Sequence, residues 1–432
     1  MGGMRGMGGP GMGGPGMGVR QPYRGLALLG ALLLATGCTG GGEHPRAPEG
    51  GDAAELSGLP WSQVVEAARD TEVTWRMWRG DPSINTYVEA WVAPRLLEEY
   101  GIRLRTVDAQ GPEIVNQLTV EREAGARGFA DLVWINGETF HQLRQESLLQ
   151  GPWAHRIPHA ALVDSTSATI LLDFEQPIDG WESPWGRVQF AMIYDEARTP
   201  EPPRTLEELG AWIRANPGRF THDQSFTGVT FLKGAMYALS GGHEPFAGGF
   251  DEAAFEEGSA RLWAWLAEHT PHFWRGGAAY PAGVADLHRL FANREVDFAF
   301  SNNENEVVTK VRQGILPPTA RATVLRDASI ANTHYLGIPF NTPNPAGAMV
   351  VANFLLSPEA QLRKADPEVW GDGTVLGLER LEPRWQAVFE ALEADPRAIP
   401  RDTLDRYARP EVAPEYHERI LAAWRTRVRR GG

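Results

Sequence analysis

The chain has 432 residues and a formal net charge of −14, with 41 lysines and arginines against 55 aspartates and glutamates. This acidic balance argues against nucleic-acid binding, which depends on basic side chains that neutralise phosphates. Its one cysteine, Cys38, leaves the rest of the chain without a thiol for disulfides, cysteine-ligated zinc or a cysteine nucleophile.

Residues 1–37 are predicted to be an export signal. Arg20 and Arg24 precede the apolar run Leu26–Leu34, which is about half as long as a membrane-spanning helix of ~20 residues. A cysteine directly after such a run resembles the bacterial lipobox, although Ala35 replaces the commoner leucine. We therefore expect Cys38 to be lipidated, and the alternative is a plain secretory signal with an incidental cysteine.

Low-complexity sequence flanks this signal. The chain before Arg20 is a Gly/Met/Pro repeat with nothing to bury, and Met17 is an alternative start for a signal of ordinary proportions. Residues 38–58 are rich in glycine, proline and polar residues, which indicates a flexible tether behind the lipidated cysteine. Roughly 370 residues remain, more than one hydrophobic core usually serves, so two lobes are expected.

The folded region opens with a strand and a capped helix. The residues from Val73 to Trp78 alternate in polarity as a strand does. Asp81 is placed to cap a helix that begins at Pro82, and apolar residues then recur at helical spacing. Pro94 is expected to kink this helix and Gly101 to end it.

A second and a third strand follow the same rhythm. IRLRTV alternates as a strand, a helix is predicted over 113–124, and the apolar DLVW run ends at Asn136–Gly137. Strands that alternate with helices indicate a parallel α/β sheet. Ligands of such sheets bind beyond the carboxyl ends of the strands, which points to residues 78–83 and 136–138.

Six motifs in this order resemble the extracytoplasmic solute-binding proteins of ABC importers. They are WRGDPSIN, DLVWINGETF, ESPWGRVQFAMIYD, PEPPRTLEELGAWIRANPGRF, VDFAFSNNENEVV and LGIPFNTPNPAGAMVVANFLLSPEAQ. The nearest likeness is to a branch beside the thiamine, iron and polyamine binders. The resemblance implies an α/β, two-lobed periplasmic-binding-protein (Venus-flytrap) fold of type II, with two hinge crossings that let the lobes close on a solute.

The resemblance also divides the chain. It implies a first part of lobe one over 59–187, lobe two over 188–334, and a return crossing, lobe-one completion and C-terminal helices over 335–432. The helical stretch after Asp366 is assigned to lobe one by this likeness alone. In lobe two, Thr205 and Glu208 have the spacing of a capping box at the start of a helix.

The candidate solute-binding residues lie at strand ends and at the crossing between the lobes. Trp185, after Pro184, is expected on the floor of the cleft, and lobe two is expected to contribute residues of the SNNE segment. The full set is Trp78, Gly80, Ser83, Asn85, Asn136, Gly137, Glu138, Trp185, Ser301, Asn303 and Glu304.

Each candidate has a structural alternative. Trp78 has the composition of a core aromatic, and Asn136–Gly137 is a turn signature in any protein. Glu138 and Glu304 also fit solvated loop charges. Asp81 is better explained as a helix cap than as a ligand.

Function is expected to be binding rather than catalysis. His155 and His159 are separated by a proline that breaks the helical face required for zinc chemistry, and no metal or cofactor is expected. The alternatives are a cell-surface glycan hydrolase and a sensory or scaffolding lipoprotein with the same fold. The expected partners are a small solute, an ABC permease with its ATPase, and the membrane that holds the anchor of this extracytoplasmic monomer.

The solute class stays open at this point. Aromatic residues and carboxylates favour an organic cation of thiamine-like or polyamine-like chemistry. Tryptophans that stack on a sugar, or helix N-termini that bind an anion, are consistent with the same sequence. Almost all basic residues are arginines, with Lys233, Lys310 and Lys364 as the exceptions, and we interpret this predominance of arginine as genomic composition bias.

The anchor makes the first testable prediction. Cys38→Ser should abolish lipid attachment, because a hydroxyl group does not form the thioether. Membrane fractionation and palmitate labelling of the variant and the parent measure this. Equal labelling and membrane partition of both proteins would contradict the lipoprotein assignment.

Overall fold

A computed structural model describes residues 53–56, 58–392 and 395–431 of the chain. The predicted signal, Cys38 and most of the predicted tether lie outside these residues. The described end of the tether differs from the prediction, because Ala53–Leu56 is a short helix and Leu56 packs against the core of lobe one.

The described residues contain ten strands. They are β1 (Glu72–Met77), β2 (Arg103–Asp108), β3 (Leu132–Ile135), β4 (Leu172–Asp173), β5 (Gln176–Pro177), β6 (Glu182–Gln189), β7 (Ala191–Asp195), β8 (Phe298–Ser301), β9 (Ala320–Thr323) and β10 (Ala331–Gly337).

Seventeen α-helices surround these strands in the described parts of the chain. They are α1 (Ala53–Leu56), α2 (Trp61–Ala68), α3 (Pro82–Thr86), α4 (Ala93–Tyr100), α5 (Gly111–Glu123), α6 (Gly137–Gln145), α7 (Ala168–Leu171), α8 (Leu206–Ala215), α9 (Phe226–Leu239), α10 (Glu252–His269), α11 (Val284–Ala292), α12 (Glu306–Arg312), α13 (Pro345–Leu355), α14 (Pro358–Ala365), α15 (Pro383–Leu392), α16 (Arg401–Tyr407) and α17 (Pro414–Gly431).

Lobe one is built on a five-stranded sheet with the order β2-β1-β3-β10-β6. The first three strands are parallel, as their alternation with helices predicted, whereas β10 runs antiparallel to both β3 and β6. One face of the sheet packs against α2 and α13, and the other covers α5 and α6. The carboxyl ends of the parallel strands therefore meet at one edge.

The first strand-to-helix connection confirms the sequence prediction. Asp81 caps α3 by accepting a hydrogen bond from the Ser83 amide at 2.6 Å, and Pro82 is the first helical residue. A π-helical turn over Tyr87–Val92 precedes Pro94, so the change of helical pitch comes just before the proline. Gly101 ends α4 in the left-handed region, with φ 71°.

Lobe two is built on a three-stranded sheet with the order β8-β7-β9. Its core consists of the buried faces of α8, α9, α10 and α11 against these strands. The Thr205 hydroxyl accepts from the Glu208 amide at 3.2 Å, as a capping box predicts, but the Glu208 carboxylate bonds to the Arg204 amide instead of the Thr205 amide. The amide of Glu208 in the first turn of α8 and the amide of Arg204 just before the helix thus both donate hydrogen bonds.

Three connections join the lobes in the described part of the chain, and the third lies between Phe389 of α15, which packs in lobe one, and Tyr416 of α17, which packs in lobe two. The first two involve the sheets. The chain leaves the first sheet at Gln189 and enters β7 at Ala191, and it returns where β10 begins at Ala331. The return therefore comes before residue 335, inside the range assigned to lobe two by resemblance.

The C-terminal helix also differs from the assignment by resemblance. Tyr416, Ile420 and Trp424 of α17 are buried in the core of lobe two, whereas α13 and α14 complete lobe one. The apolar residues of α17 recur every four positions, and the stripe they form matches the surface of α9. The last helix thus belongs with lobe two.

Truncation of Trp75 tests the packing of the core of lobe one. Its side chain is fully buried at the centre of the first sheet, so Trp75→Ala should lower the free energy of unfolding by about 3–5 kcal/mol. Leu97→Ala, which truncates a side chain that is 51% exposed, should cost less than about 1 kcal/mol. Urea denaturation of both variants measures this, and equal losses would contradict the core position of Trp75.

Candidate functional site

The seam between the two lobes contains most of the predicted site residues. The loop after β1 places Trp78 and Gly80 at the edge of lobe one. The ring of Trp78 folds over Gly80 so closely that a β-carbon there would lie 2.5 Å from it. Asn85 fastens the loop by donating to the Arg79 carbonyl at 3.0 Å, while no described residue donates to its buried Oδ1.

A buried ion pair joins the two lobes next to this loop. The second carboxylate oxygen of Asp81 lies 2.6 Å from the Nζ of Lys310 on α12, and Ser83 Oγ accepts from Gln313 Nε2 at 3.0 Å. Burial raises the pKa of Asp81, but the Lys310 ammonium and the Ser83 amide outweigh it and hold that pKa below its ordinary value. Asp81 is therefore both the predicted cap and an interlobe contact.

The end of β3 brings three more predicted residues into the seam. Asn136 precedes α6, and its Oδ1 is buried without a donor among the described residues. At Gly137 a β-carbon would lie 2.0 Å from the ring of Phe174, so only glycine admits this close approach. Burial raises the pKa of Glu138 to about 7, and its Oε2 has no partner in the described chain.

Lobe two places Lys233 beside Phe174, whose ring lies against Gly137. The Nζ of Lys233 on α9 forms an ion pair with Glu411 and lies 4.2 Å from the ring centre of Phe174 and 5.8 Å from that of Phe226. The side chain of Lys233 is fully buried. An ammonium group held by a carboxylate and aromatic faces is the arrangement in which proteins bind organic cations.

The predicted residues of lobe two form hydrogen bonds within lobe two, to lobe one and to the connection between the lobes. Ser301 donates to Glu306, and Asn303 Nδ2 lies 3.5 Å from the carbonyl of Trp370. Glu304 accepts a hydrogen bond at 2.9 Å from the amide of Gln189, where the chain leaves lobe one. Burial raises the pKa of Glu304 to about 7.

Trp185 lies in the core of lobe one. Its ring is fully buried, with ring centres 5.2 Å from Trp75, 4.8 Å from Trp134 and 5.4 Å from Trp370. No described group accepts from its Nε1. Trp134, in contrast, keeps part of its surface exposed. A solute-binding role of Trp185 stays a prediction, and Trp134 is the more accessible ring.

Several residues that contact across the seam were not predicted from the sequence. Lys310 and Lys233 were noted only as exceptions to the predominance of arginine, and Phe174, Asp173 and Glu411 were not among the candidates. The rarity of lysine in this arginine-rich chain was the available signal. Each of the three lysines is buried and ion-paired, Lys233 with Glu411, Lys310 with Asp81 and Lys364 with Asp372.

Carboxyl groups outnumber basic groups around Lys233. Glu138, Asp173, Glu182 and Glu411 all have a pKa raised by burial, most strongly at Asp173 and Glu182. In the described part of the chain, no three or more His, Cys, Asp or Glu residues are grouped so that they could hold a metal ion. Within the same residues no helix is long and apolar enough to span a membrane.

Sequence comparison identifies relatives along most of the chain. A model of the family of bacterial extracellular solute-binding proteins matches residues 91–386. The YnjB protein of Escherichia coli strain K12 is 36% identical over 326 residues, which are 74% of this chain and 84% of YnjB.

Solved structures show the same architecture at low sequence identity. The TpPotD lipoprotein of Treponema pallidum is 15% identical with a TM-score of 0.61, over 83% of this chain and 99% of that protein. The spermidine/putrescine-binding protein PotD of Streptococcus pneumoniae is 16% identical with a TM-score of 0.59, over 83% and 99%. Iron-bound HitA of Pseudomonas aeruginosa is 15% identical with a TM-score of 0.55, over 84% and 99%. These likenesses confirm the predicted two-lobed fold of type II.

The interlobe ion pair can be tested without a solute. Lys310→Met leaves the buried Asp81 carboxylate without its partner, which should disfavour the closed form by about 3–5 kcal/mol. Small-angle scattering should then give a larger radius of gyration than that of the parent.

The control for this test is Arg95→Met. It breaks the exposed Arg95–Glu359 pair within lobe one, which should change stability by less than about 1 kcal/mol and leave the scattering unchanged. A Lys310→Met profile identical to that of the parent would show that the pair does not hold the lobes together.

Proposed function

This chain belongs to the family of bacterial extracellular solute-binding proteins, and from that premise we propose that it captures an organic cation between its lobes. The solute-binding component of an ABC importer is the role that this family supports. In our proposal the closed, loaded form docks on a membrane permease, whose cytoplasmic partner hydrolyses ATP. The chain itself would have no catalytic role.

The observation that carries the cation is the acidic excess in the seam. Glu138 Oε2 and Glu411 Oε1 are buried without a donor in the described residues, next to the aromatic faces of Phe174 and Phe226. The chain already places one ammonium group there, that of Lys233. Aromatic faces attract cations, and buried carboxylates require a counter-charge, so both favour a positively charged solute.

An anion is disfavoured by the same groups. The N-terminus of α6 points to the seam, and a helix N-terminus alone would suit an anion. The carboxyl group of Glu138 occupies that position in its first turn, however, and Asp173 lies beyond it. An anionic solute would therefore meet like charges.

The relatives are consistent with a cationic solute without fixing it. The PotD protein of Streptococcus pneumoniae belongs to a spermidine/putrescine transporter, while HitA of Pseudomonas aeruginosa is bound to iron. Polyamine-like and thiamine-like cations are our proposed classes. Family membership supports this role over the glycan hydrolase, and a sensory lipoprotein would bind the same solute without an associated permease.

We also propose the cellular context. Lipidation of Cys38 would hold the protein on the outer side of the membrane, and the residues before about residue 58 would link the anchor to lobe one. The acidic chain is proposed to act as a monomer that does not bind nucleic acid.

Calorimetric titration tests the proposed solute class. Spermidine, putrescine and thiamine represent the cations, and maltose and glucose 6-phosphate represent neutral and anionic solutes. We expect saturable binding of at least one cation. Glu138→Gln should weaken that binding by roughly 10–100-fold, because a charge-assisted hydrogen bond contributes about 1.5–3 kcal/mol.

The matched control is Glu207→Gln, which neutralises an exposed carboxylate on lobe two and should leave the affinity unchanged. Binding of maltose or glucose 6-phosphate with no response to any cation would overturn the proposed solute class. Hydrolysis of glycoside substrates by the parent protein would overturn the binding role.

A further inference from the structure

A short hairpin of lobe one reaches across to lobe two. It comprises β4, β5 and the turn residues Phe174 and Glu175, and we name residues 172–177 the clasp hairpin. The turn residues have φ values of 46° and 62°, in the left-handed region that favours glycine. The side chain of Glu175 reaches lobe two, and the ring of Phe174 lies between Gly137 of lobe one and Lys233 of lobe two.

Two contacts hold the tip of the clasp hairpin. The ring of Phe174 lies over the ammonium group of Lys233, and both carboxylate oxygens of Glu175 accept hydrogen bonds of 2.9 Å from the amides of Gly248 and Gly249. These contacts join the lobes on the opposite side of lobe one from α3. The clasp hairpin must release them when the lobes open.

The base of the clasp hairpin rests on unpaired carboxyl groups. Asp173 is 1% exposed and Glu182 is 0% exposed. No side chain of the described residues donates to any of their four oxygens, and the one nearby backbone donor, the Gly137 amide, approaches Asp173 outside normal hydrogen-bond geometry. The nearby hydroxyl of Tyr335 does not serve them, because it donates to the carbonyls of Ile170 and Leu172. A buried carboxyl group without donors is stable only in its neutral form.

The charged and titratable groups around this base come from every element packed on it. Asp173 faces three groups: Glu138 of α6, Lys233 of α9, and Glu411, which precedes α17. Glu182 faces Asp173 and Arg144 of α6. Farther out, Glu418 faces Glu138, and neutral His417 lies beside Phe174. Burial, then the acidic neighbours, raise the pKa of Asp173 and of Glu182 well above their ordinary values. The Gly137 amide and Lys233 oppose this only in part at Asp173, as does Arg144 at Glu182.

We propose that closure of the two lobes is coupled to proton uptake at the base of the clasp hairpin. With protons on Asp173 and Glu182, the hairpin docks and its tip clamps lobe two. Loss of these protons places negative charge in a buried site without side-chain donors, so the hairpin leaves and the open form gains. The solute-free protein would therefore close in mildly acidic surroundings and open in alkaline ones.

The direction of this coupling follows from proton linkage. A carboxyl group whose pKa is higher in the closed form binds its proton more tightly there. The closed form is thus fully favoured below the ordinary pKa values of 3.8 and 4.5, and it weakens as the pH rises from there toward the raised values. Glu138 and Glu304, each with a pKa raised to about 7, act in the same direction.

The ion pair on the other side of the seam does not mask this effect. The pKa of Asp81 is lowered and that of Lys310 is raised, so this pair stays charged on both sides from mildly acid to mildly alkaline pH. Any change in closure over that range therefore comes from the carboxyl groups with a raised pKa, and variants of Asp173 and Glu182 separate the clasp hairpin from Glu138 and Glu304.

Hydrogen–deuterium exchange of the solute-free full chain tests the proposal. The amides of Gly248 and Gly249 are the reporters, since they donate to Glu175 only when the clasp hairpin is docked. After correction for the intrinsic pH dependence of exchange, their protection in the parent should fall at least about tenfold between about pH 5 and about pH 8. Asp173→Asn, which is neutral at every pH, should lose clearly less of its protection over this range than the parent, because Glu182, Glu138 and Glu304 still titrate.

Three further variants complete the test. Glu182→Gln should also flatten the pH response, so the proposal remains testable if Asp173→Asn does not fold. Glu175→Ala should abolish protection at all pH values, and the surface control Glu207→Gln should follow the parent. Constant protection in the parent, or an unaltered pH response in both neutral variants, would overturn the proposal. No solute is used, so the result is independent of whether the proposed solute class is correct.

Discussion

The antiparallel pairing of β6 with β10 is the interaction on which the arrangement of both lobes depends. β10 is a buried strand of the first sheet, between β3 and β6, and both members of the pair continue into lobe two. Because the pairing fixes these two connections side by side, we propose that the lobes move mainly by a hinge rotation. Every contact in the seam, from Asp81–Lys310 to Phe174–Lys233, is made or broken by that one motion.

Charge burial is the main cost of closing this hinge. Lys233, Lys310 and Lys364 each have a carboxylate partner, so their ammonium groups are compensated. The carboxyl groups near Lys233 are not, and the unmatched charge is negative. Either a proton or a cationic solute can supply the missing positive charge. The proposed proton uptake and the proposed solute therefore both depend on the same acidic excess.

Local sequence signals predicted much of the fold but little of the seam. Alternation placed β1 and β2, and an apolar run placed β3. The cap at Asp81 and the glycine at Gly101 set the ends of the first helical segment. The seam depends on contacts between residues far apart in the chain, such as Asp81 with Lys310, which periodicity does not encode. The clasp hairpin has strands of two residues each, too short for any alternation to show. Trp185 illustrates the remaining difficulty, because a tryptophan at a strand crossing fits a cleft floor and a core equally well.

Native mass spectrometry of the protein purified without refolding tests the positive charge of the solute directly. We expect a co-purified solute that carries at least one positive charge, in a complex that Glu138→Gln weakens. A neutral sugar or an anion, bound stoichiometrically and unaffected by Glu138→Gln, would contradict it.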